Sequence, residues 1–409
     1  MAVLTTPIAT GGAASRGGWR DLDWWMLLLV MALSVWGCCT IATTAGPPDA
    51  QPSTLAAPSQ ASTAVERNSY PTRFRAHGMS DAIKQATWVA LGLTLLLALA
   101  VFDYQLLMHT QFAVYIINIL LLGAVLIPHI GHKAHGAYSW IPLGPFLLEP
   151  AEFTKVATII TLAAFLCRRQ EKMHKFSTLM LSLLYLAPSL LLILKEPNFG
   201  MTVAILSIWF GMMFFGGARW WHLALVLGLG VAMFAVAWKT DKIKAYQKER
   251  LSAFLDSDAS SSGAGYHVKQ SQIAIGSGQI TGQGWGKGMQ NHGGYVPENT
   301  TDFIFASVAE DLGFVGAATL MMTYLFLLFR STAIAMTTDN FFGVLIAGGF
   351  TSLLAYHTIV NMGMTMRVMP ITGVPLPFFS YGGSCFLAFA LCIGLLESIA
   401  MRRKRISVY

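Results

Sequence analysis

Charge is what this sequence has least of. Only 11% of its 409 residues are Asp, Glu, Lys or Arg and 55% are hydrophobic, where a soluble domain carries about a quarter charged. So little charge cannot cover a fold against water, which excludes an ordinary soluble globule. Cysteine offers no framework either. The five cysteines, Cys38, Cys39, Cys167, Cys385 and Cys392, form no Cys-x-x-Cys pair and fall inside or at the ends of apolar runs, so neither a disulfide scaffold nor a metal site is expected. A P-loop is also missing: the glycines from Gly276 to Gly288 lack a following Lys-Ser/Thr and a preceding strand, and they read as tight turns. No cleavable signal peptide is evident, because the apolar run from Trp24 continues for about 20 residues, longer than an h-region.

What the sequence does have is a series of apolar runs long enough to cross a bilayer, for which about 20 helical residues are needed. Lipid supplies no hydrogen-bond partners, so each run must be a helix. Ten spans are predicted, at 24–44, 83–102, 106–127, 151–167, 176–194, 199–217, 222–238, 303–329, 341–361 and 378–400. The fold class is all-α, an integral membrane protein with a single bundle at 24–401 between a tail at 1–23 and a basic tail at 402–409.

The net charge of +7 does not point to nucleic acid, because the basic residues stand in short groups beside the runs, as topology determinants do. An even count of spans puts Arg16, Arg20, the Arg168–Lys175 loop and the Arg402–Arg405 tail on one face, the cytoplasmic one, so both termini are expected inside. The segment 45–82, rich in Pro, Ala, Ser and Thr at its start, resembles a disordered outer linker. It carries Arg67, Arg73 and Arg75 against the rule. The long polar segment 239–302, between the seventh and eighth spans, is a large outer loop.

Ionisable residues near the spans gather toward the outer end. Glu149, Glu152 and Lys155 open the fourth span, Lys195, Glu196 and Asn198 lie between the fifth and sixth, and Arg250, Asp256, Asp258 and Asp302 come from the loop. Glu310 and Asp311 sit about two turns into the eighth span, and Arg367 ends the ninth. Such groups beside hydrocarbon are costly and usually face a functional cavity. Glu152 and Lys155, three apart on one helix face, also fit a plain structural ion pair. Taken together, Lys155, Lys195, Arg250 and Arg367 opposite several carboxylates describe a site for an anionic head group beside a proton acceptor. Pro370, Pro375 and Pro377, ahead of Ser380-Tyr381-Gly382-Gly383-Ser384, exclude a continuous helix there.

These residues resemble a known family over about Lys84 to Arg405. The motifs are Lys84-Gln85…Trp88, Gly136-Ala137-Tyr138-Ser139-Trp140-Ile141, Glu149-Pro150-Ala151-Glu152-Phe153-Thr154-Lys155 and Glu196-Pro197-Asn198-Phe199-Gly200. They continue with Gly263-Ala264-Gly265-Tyr266-His267, Gln270-Ser271, Pro297 to Phe305, and the most specific stretch, Asn361 through Ser384. The family is that of shape, elongation, division and sporulation (SEDS) proteins, to which RodA and FtsW belong. The wording around Gly263 to Gly288 looks nearer the RodA type.

The resemblance implies a peptidoglycan glycosyltransferase that polymerises lipid II at the outer leaflet of the bacterial inner membrane, releasing undecaprenyl pyrophosphate. The implied partner is a class B penicillin-binding protein transpeptidase. No cofactor is implied with certainty; a divalent cation is left open. The family's proposed base is a loop Asp three residues before the Gly-x-Gly-Tyr motif, and Ser260 holds that position here. Asp258, then Asp256, are the nearest replacements. The family's Glu and Lys fall on Glu152 and Lys155, with Lys155 implied to contact phosphate. Lys195, Arg250, Asp302, Glu310, Arg367 and Ser380 complete the expected substrate-binding set. Milder departures are Asn198 for an acidic residue in the usual Gln-Pro-Asp-x-Gly pattern, Ser139 for Arg, and Cys385 for a small Ser or Ala. Two other readings stay open: a SEDS scaffold that has lost polymerisation, favoured by Ser260, and a lipid-linked precursor flippase, which should instead stage polar groups through the midplane.

Overall fold

An apolar run in lipid must close its own hydrogen bonds, and among the described residues ten apolar helices do so. The computed structural model describes residues 21–44, 78–127, 130–134, 137–143, 146–196, 198–240, 254 and 264–402. In chain order the helices are α1 (Trp24–Thr44), α2 (Gly78–Val101), α3 (Leu107–Val125), α4 (Pro150–Cys167), α5 (Phe176–Lys195), α6 (Phe199–Phe215) and α7 (Trp220–Lys239). Two loop helices follow, α8 (Ala264–Ser277) and α9 (Met289–His292), and then α10 (Ile304–Thr337), α11 (Phe341–Thr365) and α12 (Gly383–Arg402). Among the described residues nine helices are long and apolar enough to span a membrane, and the 17-residue α6 makes the tenth.

The ten spans expected from hydropathy are therefore these helices, with three boundaries to correct: α2 begins at Gly78 instead of 83, α10 runs to Thr337 instead of 329, and the last span starts later. The last was placed from residue 378, but α12 begins at Gly383. Pro375 and Pro377 and the positive φ of Phe378, 64°, hold the preceding residues off the helix. Helical periodicity also missed a small antiparallel sheet between α3 and α4, β1 (His132–Ala134), β2 (Ala137–Leu143) and β3 (Phe146–Leu148). Its strands pair His132 with Trp140 and Ile141 with Leu148, and they deliver the chain to Glu149, the N-cap of α4.

Helices α4, α11 and α12 are buried along most of their length and form the centre, while nearly all of α7 faces outward. Large apolar side chains on the outside, such as Leu184, Leu227 and Met233, suit a lipid surround. At the end where α1 begins, polar contacts tie first and last helices together. Asp23 pairs with Arg330 of α10, its backbone N–H donates to Glu397 of α12 at 2.8 Å, and Arg402 meets Asp103 at 3.6 Å.

Candidate active site at one end of the bundle

Pro at the first position of α4 costs no helical hydrogen bond, and the helix it starts carries Glu152 and Lys155 one turn in. Three residues apart, they share a face. Lys155 is fully buried, and its ammonium lies 2.6 Å from a Glu152 carboxylate oxygen. It also lies 3.3 Å from Nε2 of His357 on α11 and 5.0 Å from the centre of the Phe389 ring on α12. The Nδ1 of His357 lies 2.9 Å from the Pro375 carbonyl. Nδ1 must then carry the proton, leaving Nε2 to accept from Lys155 and the imidazole neutral. The Cys385 thiol, on the first turn of α12, is buried within electrostatic reach of the Glu152 carboxylate.

Around this core stand further carboxyls. Glu149, half-buried, donates its backbone N–H to Ser384 Oγ at 3.1 Å and accepts a 3.4 Å bond from the Asn198 amide. Glu196 is 2% exposed, and neither of its carboxyl oxygens has a hydrogen-bond partner. Both lie outside the spans. Burial pushes Glu196 up to about 8; burial, then the neighbouring Glu152 carboxylate, pushes Glu149 up to about 8. Glu196 and Asp302 lie within electrostatic reach of Glu149. The structure thus brings together Glu149, Glu152, Lys155, Glu196 and Asp302, of which sequence reading had named Glu152, Lys155 and Asp302 as site residues.

The segment Arg367 to Gly382 is extended and turned, as its prolines require, and buried polar contacts hold it. Asn361 donates to the carbonyls of Asp302 at 2.9 Å and Val374 at 2.8 Å. Ser380 Oγ donates to Thr301 O at 2.6 Å and accepts from Leu376 N at 2.9 Å. Gln85 on α2 clamps the same turn through Ser380 O and Gly382 N. Ser380 is therefore occupied in holding the turn, which differs from the substrate contact expected of it.

Glu310 differs likewise. Its carboxylate accepts from the backbone N–H groups of Gln290 at 2.7 Å and Asn291 at 3.1 Å, while Asp311 accepts from Gly286 at 2.9 Å and Gly288 at 3.1 Å. These side chains fasten the Gly-rich segment to a break in α10 at Gly313, whose φ of 66° and ψ of −160° are not helical. Across the break, Phe314 N and Val315 N donate to Gln279 O and Ile280 O, and Gln283 N and Gly284 N donate to the carbonyls of Glu310 and Asp311. The glycines serve a backbone clasp. Two polar carboxylates inside a span are affordable there because donors from the loop satisfy them.

Arg367, at φ 60°, lies beyond the end of α11, about three turns on from His357. Lys195, at the end of α5, is exposed. Arg250, Asp256, Asp258 and Ser260 lie outside the described residues. Lys155, expected to meet phosphate, is sealed by Glu152, His357 and Phe389 in the conformation described. Sequence reading missed His357; a lone ionisable residue in an apolar span was its signal. Among the described residues no group of three His, Cys, Asp or Glu could hold a metal ion, and the cation at the centre of these carboxyls is Lys155.

A bundle of ten apolar helices with a sealed ion pair and a group of carboxyls at one end defines a multi-pass membrane protein with a polar site at the membrane boundary. The FtsW/RodA/SpoVE family model, described as cell cycle protein, matches residues 64–405, and the chain belongs to that family. It is 34% identical over 319 residues to peptidoglycan glycosyltransferase MrdB (RodA) of Escherichia coli K12, covering 78% of this chain and 85% of that one. To the probable peptidoglycan glycosyltransferase FtsW of Trichlorobacter lovleyi it is 35% identical over 299 residues, covering 73% and 77%. These near-equal identities do not separate the RodA type from the FtsW type. A solved structure described as "Structural coordination of polymerization and crosslinking by a peptidoglycan synthase complex" matches with a TM-score of 0.73 at 26% identity, covering 93% of this chain and 98% of that one.

Proposed function

We propose that this protein is a peptidoglycan glycosyltransferase that polymerises lipid II at the outer leaflet of the bacterial inner membrane. The observation that carries the reading is the buried Glu152–Lys155 pair beside a group of carboxyls, in a chain 34% identical to an enzyme of that name. Polymerisation requires a hydroxyl of one sugar to attack the anomeric carbon of another while undecaprenyl pyrophosphate leaves. A base must accept one proton and cations must steady the departing charge.

Lys195, Arg250 and Arg367 are the cations suited to the pyrophosphate. Lys155, neutralised by Glu152, holds α4 against α11 and α12. The base is a carboxylate, either Asp258 or Asp256 of the long loop or one from the α4 end. Both termini lie in the cytoplasm, since that places the Arg168–Lys175 loop and the Arg402–Arg405 tail inside. A class B penicillin-binding protein is the partner, in keeping with the synthase complex among the structural relatives. Whether the chain serves elongation or division rests on that partner.

The test is polymerisation of purified lipid II by the protein with its transpeptidase, read as glycan chains by gel. Wild type should give polymer and Lys155→Ala little. No polymer from wild type would favour the scaffold reading that Ser260 suggests. Movement of lipid II across a vesicle membrane without polymer would favour a flippase.

A further inference from the structure

Among the described residues, the buried carboxyls at the site outnumber the buried cations. Lys155 is committed to Glu152 at 2.6 Å, and His357, which accepts from that ammonium, adds no positive charge. Among the described residues, Glu149 and Glu196 are left without a cation of their own. Glu196 is sealed and both its oxygens lack a hydrogen-bond partner. Glu149 is half-buried, so a substrate can reach it, and its carboxylate is met by the Asn198 amide at 3.4 Å. Glu152, Lys155, Asp302 and Cys385 complete the charged and titratable groups that bear on Glu149.

We infer that Glu149 takes the proton of the acceptor hydroxyl and that Glu196, a positioning residue beside it, sets its proton affinity. The inference rests on the proposed lipid II polymerisation. A buried carboxyl with like charges near it is a device for placing a base near neutral pH; burial first, then Glu152 and, more weakly, Glu196 push Glu149 up to about 8, while burial alone raises Glu196. The step balances. The acceptor oxygen forms a bond to the donor's anomeric carbon, the bond from that carbon to the pyrophosphate oxygen breaks with its electron pair leaving on undecaprenyl pyrophosphate, and the hydroxyl proton passes to a Glu149 carboxylate oxygen. Asn198, on the turn that carries Glu196, orients Glu149 through its amide. The role does not depend on an Asp at the position Ser260 occupies.

The experiment measures polymerisation rate against pH and lipid II concentration for wild type, Glu149→Gln, Glu196→Gln, Asp256→Asn and Asp258→Asn, each with its transpeptidase. Glu149→Gln should lower kcat by about 100-fold or more with KM little changed. Glu196→Gln should keep turnover but move the acidic limb of the pH profile to lower pH, because a like charge is removed from beside the base. The loop variants Asp256→Asn and Asp258→Asn are the competing arm, in which loss of the base would cost about 100-fold or more. Near-wild-type kcat from Glu149→Gln overturns the inference, as does an acidic limb unmoved by Glu196→Gln, which decides the matter should Glu149→Gln fail to fold. A large loss confined to Asp258→Asn returns the base to the loop. Absence of polymer from wild type overturns the proposed function itself, an outcome distinct from these.

Discussion

Nζ of Lys155 lies 3.3 Å from Nε2 of His357, across 202 residues of chain. Its other close partner, Glu152, is equally buried, so α4 and α11 meet through a charge that no water reaches. Removing one member strands the other. Lys155→Ala should destabilise by about 3–5 kcal/mol, whereas Glu152→Gln with Lys155→Met should recover most of that loss, because no uncompensated charge remains. Thermal unfolding in detergent of the single and double variants checks this. A single variant as stable as wild type would show that the pair is open to solvent.

His357 accepts at one ring nitrogen and donates from the other, to Pro375 O at 2.9 Å. Glutamine can do both with its amide, and leucine can do neither. His357→Leu should therefore cost about 1–3 kcal/mol through groups left unsatisfied, and His357→Gln distinctly less. Apparent melting temperatures of the two variants decide; equal losses would mean that volume, and not hydrogen bonding, sets the role.

Gly313 breaks α10 in a backbone region that is essentially glycine-only, at φ 66° and ψ −160°. A Cβ there would stand 2.3 Å from Gly282 N, inside the segment that closes the break. Gly313→Ala should cost about 1–3 kcal/mol in backbone strain, and the clash should loosen residues 279–292 from α10. Limited proteolysis is the direct readout: cleavage within 279–292 should accelerate, and an unchanged digestion pattern would contradict the clasp.

The Glu149 and Glu196 carboxyls, pushed by burial from about 4.5 to about 8, bind protons in the fold that they release when unfolded. Between those values the folded state holds more protons, so stability falls as pH rises through the window and levels off above it. The apparent melting temperature should thus decline from about pH 5 to 8, and Glu196→Gln should flatten the decline. A wild-type temperature that rises over this range would reverse the sign and exclude the buried, uncompensated state of both groups.

Much of this was legible beforehand because lipid simplifies the code. A helix that must bury its backbone in hydrocarbon announces itself by length alone, so α1 and α5 fall within a residue of their predicted bounds. The Glu152–Lys155 pair was legible from i, i+3 spacing, and the interruption after Arg367 from its prolines. Tertiary partners were not. Nothing local marks His357 as the acceptor for Lys155, since they meet only when α4 packs on α11. Glu310 reads as a site residue because it is a charge in a span, yet its partners, like those of Asp311 beside it, are backbone amides, of Gln290 and Asn291 and of Gly286 and Gly288, 19 to 25 residues earlier, which carry no side-chain pattern. The sheet at 132–148 escaped because its strands are short and lie among apolar residues that suit either state.

Orientation decides whether Glu149 and Glu196 meet an outer-leaflet substrate. By chain order α1 and α7 begin at the same face, and each begins with two exposed tryptophans, Trp24 and Trp25 at 59% and 61%, Trp220 and Trp221 at 59% and 66%. Paired tryptophans at one level suit the interface between headgroups and hydrocarbon. The Arg168–Lys175 loop joins α4 to α5 at that face, opposite the end where Glu149 precedes α4, and by the positive-inside rule its charge is expected to place that face in the cytoplasm. A reporter fused after Tyr409 should therefore read cytoplasmic and one inserted at Ser260 external, with Cys39 near the end of α1 labelled only by reagents that enter the outer half of the bilayer. The reverse pattern would leave the carboxyls facing the cytoplasm, where they could take no proton from a sugar in the outer leaflet.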